Sequence, residues 1–388
     1  MNSLPASSTS AAGLSRGSSA APESVIVLGG GALGASIATH LAQAGASVTL
    51  ATAGELCDGA SSRSLSWLNS AGDRSPAYHA LRVHGIDRYR TLFAADPSCE
   101  WLRFSGGLWW GTDASSAATH DRHAGEIGRG YASELLDRGE VARRFPDLDT
   151  GVIAPEAIVN PGEGWVSLPH LVEHLAAKLR DLGGTITTGL GPCSLIVEDG
   201  RAIGIRDQRG AEHRAGAVVV ACGAKTPAVM NRAGVDIPDG SPLSMMVTTD
   251  PVDAEAPVMN TPRAAVRPNP GGSFCVDHDW YVGDIVEHED GTCTIDESIV
   301  AELLEEASRL FAGGVSLTAA RWAAGRKPIP GDGEPVLGAV GALPGCYVAF
   351  THSGATLALI AGEMVTHEVM TGNRHPMLAS FSPDRFAS

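Results

Sequence analysis

The sequence predicts an α/β protein of two domains, one containing a βαβ unit and one rich in strands. Three observations lead to this prediction. A glycine motif stands between an apolar run and a helical pattern near residue 30, strand-rich patterns fill the middle of the chain, and the chain has 388 residues. A single hydrophobic core stops growing at about 250 to 300 residues, so a chain of this length normally forms about two domains.

The βαβ unit covers residues 24–52. Residues 24–28 are an apolar, β-branched run that leads into three glycines at G-x-G-x-x-G spacing, Gly29, Gly31 and Gly34. Leu33, Ile37 and Leu41 then lie on one face of a predicted helix, and residues 47–51 predict a second buried strand. In this context the glycines favour a dinucleotide site with the phosphates at the helix N-terminus, and the alternative is a plain glycine-rich connector.

One position departs from the usual dinucleotide pattern. About 20 residues past the glycines, such sites place an acidic residue that holds the ribose hydroxyls. Here the position is Thr52, and Glu55 lies close by in the sequence. A threonine hydroxyl can still bond a ribose, but the neutral hydrogen bond is weaker than one to a carboxylate.

Composition narrows the class of partner. The formal charge of -16 offers no basic surface for nucleic acid or anionic lipid, so a small-molecule partner is expected. Seven scattered cysteines without a C-x-x-C pair favour reduced thiols, no metal site and a cytoplasmic location. No apolar run reaches the ~18 residues of a membrane span. Residues 1–23, rich in Ser, Ala and Gly, are expected to be a disordered leader.

The rest of the chain alternates helical and strand patterns. Helices are predicted over residues 76–95, 171–182 and 297–311, and a polar loop over residues 57–72. Three apolar runs separated by turn signals predict an antiparallel meander formed by residues 194–197, 202–206 and 217–221. Near the C-terminus, a loop, a strand and a final helix follow one another, as at the start of the chain.

Four separated segments together resemble the flavoprotein family of D-amino acid oxidase, glycine oxidase and sarcosine oxidase. They are the opening glycine motif, GASSRS at 59–64, VVVACGA at 218–224, and GRKPIPGDGEPVLG with THSGATLA at 325–338 and 351–358. This resemblance implies a Rossmann-like FAD-binding domain made of residues 24–75, 150–240 and 322–388. It implies a mixed-sheet substrate-binding domain made of residues 76–149 and 241–321.

The resemblance also implies which residues contact FAD. A final helix beginning near Ala355 would point its positive end at the flavin, and the closing loop, Arg326 to Asp332, contains no cysteine to tether it. We therefore expect non-covalent FAD. The implied cofactor-binding residues are Gly29, Gly31, Ala32, Leu33, Gly34, Thr52, Ala53, Ser61, Ser62, Arg63, Ser64, Cys193, Ala221, Cys222, Gly223, Ser353, Gly354, Ala355, Thr356 and Leu357.

Four further residues are candidates for substrate contact. Relatives that hold a substrate carboxylate often have an arginine directly before the proline of the closing motif, whereas this chain has Lys327, with Arg326 one residue earlier. Lys327 would pair with a substrate carboxylate or assist oxygen, or would face solvent. His352 would contact substrate or flavin, or only cap the final helix. Arg267 would face either the pocket or solvent, because side chains alternate along a strand. Lys327 and His352 are the catalytic candidates.

The resemblance implies oxidation of an amine or amino acid at its C–N bond by hydride transfer to flavin N5, with reoxidation by molecular oxygen. The imine product would then hydrolyse. One alternative is a dehydrogenase of a 2-hydroxy acid or amine that passes electrons to another acceptor, since a fold does not dictate a function. Another is a flavin-holding subunit without turnover of its own. The substrate and the oligomeric state stay open.

Overall fold

A computed structural model describes residues 21–112 and 116–387 of the protein. Most of the predicted leader therefore lies outside the described residues. The helices of the described segments are α1 (Ala32–Gln43), α2 (Pro76–Ala95), α3 (Ala117–Gly128), α4 (Arg138–Arg144), α5 (Leu168–Asp181), α6 (Thr226–Arg232), α7 (Glu297–Ser308) and α8 (Gly354–Thr371).

The strands are β1 (Ser24–Leu28), β2 (Ser47–Ala51), β3 (Trp67–Leu68), β4 (Leu102–Arg103), β5 (Gly107–Trp109), β6 (Glu134–Asp137), β7 (Glu156–Asn160), β8 (Gly164–Val166), β9 (Thr185–Thr187), β10 (Ser194–Glu198), β11 (Arg201–Arg206), β12 (Glu212–Arg214), β13 (Ala217–Val220), β14 (Leu243–Thr249), β15 (Val258–Asn260), β16 (Ala265–Asn269), β17 (Ser273–Asp277), β18 (Val286–Glu287), β19 (Cys293–Thr294), β20 (Ala319–Arg326), β21 (Val336–Ala339) and β22 (Cys346–Phe350).

The first sheet confirms the predicted βαβ unit. Its order is β21-β22-β13-β1-β2-β9, and β1 runs parallel to both β2 and β13. Only β21 is antiparallel to its neighbour. Helix α1 packs against α5 and α8, and the apolar faces of these helices and of the sheet share one core. Because the parallel strands end at the same edge, the turns after β1, β2, β13 and β22 are brought together there.

The predicted meander is correct in two strands and wrong in the third. β10, β11 and β12 form the antiparallel meander, whereas residues 217–220 form β13, between β1 and β22 in the first sheet. Every residue of β13 is buried. A short run that is apolar at every position is typical of a parallel strand covered on both faces, and alternation would have marked an exposed meander strand.

A second sheet has eight strands in the order β20-β14-β17-β16-β15-β5-β7-β6. β5 and β15 are parallel and the other pairs are antiparallel, so this sheet is mixed, as predicted. It includes β7 and all of β20, so the expected domain boundaries at 150 and 322 each differ from the sheet boundaries. The reason is strand pairing: β7 pairs with β5 and β6, and β20 pairs with β14, so both strands belong to the second sheet.

A small three-stranded sheet has the order β3-β8-β4. Its register pairs Trp67 with Trp165 across antiparallel strands, so the two indoles stand side by side on one face. In the described part of the chain, no helix is long and apolar enough to cross a membrane. The same residues contain no cluster of three or more His, Cys, Asp or Glu side chains able to hold a metal ion.

Candidate active site

The turn between β1 and α1 forms a close-packed cradle at the carboxyl edge of the first sheet. A Cβ on Gly34 would overlap the carbonyl oxygen of Gly29, and one on Gly29, whose φ is +126°, would overlap the carbonyl oxygen of Ala221. By contrast, a Cβ on Gly31 would meet only the hydroxyl of Ser61, at 3.0 Å. We call Gly29, Gly31, Gly34, Ser61 and Ala221 the glycine cradle.

The N-terminus of α1 has free capacity for an anion. Gly31 at its N-cap has no side-chain capping bond, and the first turn contains no acidic residue. The amide of Ala32 donates to Ser61 Oγ over 3.0 Å, so the predicted hydroxyl loop does reach the helix. A helix end that has a positive dipole and neither a side-chain cap at its N-cap residue nor an acidic residue in its first turn suits a pyrophosphate.

The predicted residues after β2 and β13 lie at the same edge. Thr52 is 7% exposed, and its carbonyl accepts a hydrogen bond from the amide of Leu190. The Ala221 amide donates to the carbonyl of Leu28 over 2.8 Å, and Cys222 Sγ lies 3.4 Å from that same carbonyl. These contacts bring the ends of three strands next to the glycine cradle.

The other predicted cofactor-binding residues near this edge of the first sheet have local contacts. Ala53 accepts from the amide of Gly191, and the Cys193 thiol is buried with its sulfur 3.4 Å from the Gly191 carbonyl oxygen. Leu33 is buried in the helix-sheet core, and Gly223 has a positive φ of 56° directly after Cys222.

The hydroxyl-rich loop divides into two parts. Ser61 contacts α1, whereas Ser62 Oγ donates to the carbonyl of Gly59 over 3.0 Å and stays exposed. Arg63 donates to the carbonyl of Asp58 and also packs against Gly325 in β20. Ser64 Oγ accepts from the amide of Ser66, two residues on.

The N-terminus of α8 is a second helix end without a side-chain cap or an acidic first turn. Ser353 at the N-cap bonds instead to Tyr78 and Arg82 of α2. Arg82 also donates to the carbonyl and the side-chain oxygen of Asn69, at 2.7 and 2.8 Å. Arg82 is 4% exposed, and among the described residues none of its acceptors is a carboxylate.

Sequence reasoning did not single out Tyr78, Arg82 or Asn69. A signal was present, because Arg82 lies at helical spacing with Tyr78, Ile86 and Tyr89 on the buried face of α2. A charged residue on such a face is buried only where polar partners meet it.

The start of α8 is also joined to the small sheet and to α2. Thr356 Oγ1 donates to the carbonyl of Trp67 over 3.1 Å, and the Tyr89 hydroxyl donates to the carbonyl of Ala355 over 2.5 Å. The Leu357 amide donates to the carbonyl of Ser353, so the helix begins at Gly354. These bonds fix the start of α8 relative to the backbone of Trp67 and to α2.

Lys327 lies between two carboxylates. Its Nζ is 3.2 Å from Asp277 and 3.0 Å from Asp279. Burial alone would lower the pKa of Lys327, but the two aspartates raise it above the ordinary lysine value. Its charge is therefore already compensated. The neighbouring Arg326 points elsewhere, pairs with Glu287 at 2.9 Å and has a side chain that is 44% exposed.

His352 is exposed by surface area, yet desolvation by the protein around it is the main cause that lowers its pKa to about 4. Lys327, Arg82 and Arg74 lower this pKa further. His352 is thus a neutral imidazole at neutral pH, close to the α8 terminus.

Arg267 points inward, and it is 2% exposed. Its guanidinium carbon lies 5.2 Å from the ring centroid of Trp165. It donates to the carbonyl of Pro268, to Asn269 Oδ1 and to Cys275 Sγ, and its Nε has no partner among the described residues. Burial lowers the pKa of Arg267. No carboxylate of the described residues compensates this buried cation.

Glu163 was not singled out by sequence reasoning. It directly precedes β8 and is fully buried, and its Oε1 accepts from the Tyr131 hydroxyl over 2.5 Å. Burial is the main cause that raises the pKa of Glu163 to about 7. We call Trp67, Trp165, Glu163 and Arg267 the tryptophan cluster. A lone acidic residue after a Pro-Gly turn carried no sequence signal of this burial.

Both uncapped helix ends, together with the glycine cradle, fit the anionic pyrophosphate and the electron-accepting edge of a flavin dinucleotide. A family profile described as FAD dependent oxidoreductase matches residues 24–368. This match agrees with the family that the four sequence segments predicted.

Individual proteins are similar along most of the chain. One of the subunits of opine oxidase from Agrobacterium tumefaciens (strain Ach5) is 23% identical over 384 residues, covering 93% of this chain and 96% of that protein. A D-amino acid dehydrogenase of Methylobacterium sp. (strain 4-46) is 28% identical over 267 residues, 64% of this chain and 61% of that protein.

The fold is similar to that of solved oxidoreductases. Glycine oxidase from Geobacillus kaustophilus superposes with a TM-score of 0.78 at 21% identity, covering 95% of this chain and 99% of that one. L-Amino acid deaminase from Proteus myxofaciens superposes with a TM-score of 0.80 at 19% identity, covering 95% of each chain. With a profile match over most of its length, the chain belongs to the family of FAD-dependent oxidoreductases.

Proposed function

We propose that this oxidoreductase oxidises the C–N bond of a small amine or amino acid that carries a carboxylate. The observation that supports this is Arg267, a buried guanidinium that no described carboxylate compensates. A buried cation without a counter-ion is costly, so the site is complementary to an anionic group of a ligand. An arginine also binds carboxylates in a bidentate way, which orients them.

The cofactor is proposed to bind without a covalent link. The amides at the α1 terminus would hold the pyrophosphate, and Thr52 would face the ribose. Ser353 and the α8 terminus would lie at the pyrimidine edge of the ring, with Arg82 behind them. When bound, FAD supplies the acceptor for a hydride and its two electrons. The chain's own residues supply binding, orientation and a dry pocket.

Three of the predicted substrate residues have more specific proposed roles. His352 is proposed to contact substrate or flavin as a neutral group, since its pKa is lowered to about 4. Lys327 is proposed to act on His352 through its charge, which lowers the pKa of His352, while Lys327 stays bound to Asp277 and Asp279. Arg326 would have to leave Glu287 before it could bind a substrate.

Molecular oxygen is the proposed electron acceptor, with hydrogen peroxide as product. The second candidate is a dehydrogenase that uses another carrier, because the curated relatives include a protein named D-amino acid dehydrogenase. The residues 24–75, 150–240 and 322–388 are proposed to form the FAD-binding domain, adjusted at β7 and β20. The free state of all seven cysteines supports a proposed cytoplasmic location.

Anaerobic mixing with a panel of amines, amino acids and 2-hydroxy acids tests the proposal. We expect carboxylate-bearing amines to bleach the flavin absorbance, and subsequent mixing with oxygen to restore it and release peroxide. Bleaching only by 2-hydroxy acids, or no bleaching at all, would contradict the proposed substrate class. Restoration by a quinone or dye but not by oxygen would select the dehydrogenase.

A further inference from the structure

The tryptophan cluster contains a buried acid that the proposed function does not yet use. Glu163 is fully buried, and among the described residues it forms no ion pair. Its Oε1 accepts three hydrogen bonds, from the Tyr131 hydroxyl at 2.5 Å and from the amides of Ser70 and Ala71 at 3.3 Å each. The carboxyl group is therefore held in one orientation.

The second oxygen of this carboxyl group is free. Oε2 of Glu163 is buried and has no hydrogen-bond partner in the described part of the chain. A buried acceptor without a donor costs about 1–3 kcal/mol, and more when it is charged. One oxygen is thus saturated, and the other can accept a hydrogen bond from a donor of a ligand.

The free oxygen and the Trp67 ring lie over the same glycine. A Cβ on Gly107 would overlap Glu163 Oε2 and would lie 2.7 Å from Cζ2 of Trp67, so both side chains meet above this glycine. The indole Nε1 of Trp67 is also buried without an acceptor among the described residues. Thr356 at the start of α8 bonds the carbonyl of Trp67, which joins this cluster to the helix end proposed to face the flavin.

Arg267 lies at the other end of the cluster. Trp67 and Trp165 are paired in register, and Arg267 stands over Trp165. Glu163 directly precedes β8, two residues before Trp165. A buried acid and a buried cation thus flank the two paired indoles, which places a proton acceptor and a carboxylate-binding group in one cluster.

We propose that Glu163 binds the nitrogen of the substrate and accepts its proton, while Arg267 binds the carboxylate. This inference rests on the proposed function. The substrate's N–H bond breaks, the proton moves to Glu163 Oε2, and the electron pair stays on the nitrogen. The neutral amine can then lose a hydride from the adjacent carbon, because its lone pair stabilises the developing imine. The proton returns to solvent after the product leaves.

The charges around Glu163 suit this task. Tyr131, which precedes β6, and Arg82 of α2 lower the pKa of Glu163, whereas Glu126 of α3 raises it. Arg74, in the loop before α2, also faces this group. With burial outweighing the lowering contacts, the value of about 7 places Glu163 near the pH at which a general base is most effective.

The test uses the FAD-loaded protein and two probes that cannot undergo amine oxidation. These are 2-aminoisobutyrate, which lacks an α-hydrogen, and isobutyrate, which lacks the nitrogen. By calorimetry, we expect the affinity of the wild type for 2-aminoisobutyrate to rise with pH through about 7, as Glu163 ionises. Isobutyrate should show no such rise. Glu163→Gln should abolish the rise and slow anaerobic reduction by amines about 100-fold.

Two further variants separate a specific role from a structural one. Glu126→Gln removes a neighbouring buried acid that already bonds Arg122 and Asn160, so it should keep the pH-dependent binding, with the midpoint slightly lower. Tyr131→Phe removes a bond that lowers the pKa of Glu163, so it should move the midpoint upward. It serves in place of Glu163→Gln if that variant does not fold.

The inference is wrong if Glu163→Gln keeps the pH-dependent preference for 2-aminoisobutyrate, or if Tyr131→Phe leaves the midpoint unchanged. In either case, normal reduction of the flavin by amines would leave the proposed function intact. If the wild type is not reduced by any amine and binds neither probe, both proposals are wrong.

Discussion

The proposed binding roles of the glycine cradle and of the tryptophan cluster rest on different features. In the cradle, backbone atoms dominate, and the defining feature is the absence of side chains at Gly29 and Gly34. In the tryptophan cluster, side chains from distant segments meet, and the defining feature is a buried polar atom without a hydrogen-bond partner on each of Arg267 and Glu163 among the described residues. The first region is therefore proposed to select a ligand by its shape, and the second by its charge.

Two glycine substitutions test whether the cradle separates folding from cofactor binding. Gly31→Val should fold, because φ at Gly31 is -85° and its Cβ would meet only Ser61 Oγ. We expect it to be colourless, with FAD affinity lowered by 100-fold or more, or about 2.8 kcal/mol, since each tenfold change in affinity is about 1.4 kcal/mol. Flavin absorbance and thermal unfolding of the purified protein measure both properties.

Gly34→Ala is the contrasting substitution. Its Cβ would overlap the backbone oxygen of Gly29, so the helix and strand must separate, at a cost of about 3 kcal/mol or more. Soluble expression and melting temperature should fall in this variant but not in Gly31→Val. Stoichiometric FAD in Gly31→Val would remove α1 from the proposed cofactor site.

Arg267→Met tests the cation of the tryptophan cluster. Loss of one partner of a buried charge pair costs about 2–5 kcal/mol of binding free energy. The second-order rate constant for reduction of the flavin by carboxylate-bearing amines should therefore fall by at least about 30-fold. Thermal stability should stay the same or rise, because an uncompensated buried charge is replaced by an apolar chain. The matched control is Arg326→Met, whose exposed pair with Glu287 should contribute no more than about 1 kcal/mol. Equal losses in both variants would contradict the assignment.

Thr52→Glu tests the unusual position of the cradle region. A charge-assisted hydrogen bond is about twice as strong as a neutral one, so FAD should bind about tenfold more tightly. Thr52 is 7% exposed and lies against Gly30, so the longer side chain has to reach toward the ribose. Equilibrium dialysis of FAD measures the change. Weaker binding would mean that the residues around position 52 are adapted to a threonine.

The smallest effect is expected for His352→Gln. The pKa of His352 is lowered to about 4, so the imidazole is neutral above that value and charged only below it. A rise of anaerobic reduction between about pH 6 and pH 8, where a base near neutrality ionises, should therefore persist in this variant. Stopped-flow reduction across this range checks it. Loss of the rise would assign it to His352 instead of Glu163.

Local patterns predicted the parts of the fold whose causes are local. The β1-α1-β2 unit was correct to the residue at both strands, and α2 was correct at both ends, because Ser75 caps it and Pro76 begins it. The error in the meander had a different origin. Residues 217–221 follow a turn signal, and only pairing with β1 and β22 decides that they belong to the first sheet.

The candidate site divides in the same way. Most of the glycines and hydroxyls of the cradle lie close together in the chain, between Gly29 and Ser61, so their spacing identifies them. The tryptophan cluster joins β3, β8 and β16, and nothing in the neighbouring sequence of Glu163 or Trp67 marks either residue. Arg267 is a candidate from the sequence, but the sequence does not decide whether it faces the pocket, since that depends on which face of the strand is covered.

The sequence by itself determined the nucleotide-binding unit, the family and the acidic character of the chain. The unit and the acidic character follow from backbone sterics, hydrophobic period or composition, which act over a few residues at a time, and the family follows from the resemblance of four separated segments. Only the tertiary structure decided that Lys327 is compensated by Asp277 and Asp279 while Arg267 has no carboxylate partner among the described residues. The free energy of a buried charge depends on what lies within a few ångströms of it, and those neighbours come from segments far apart in the chain.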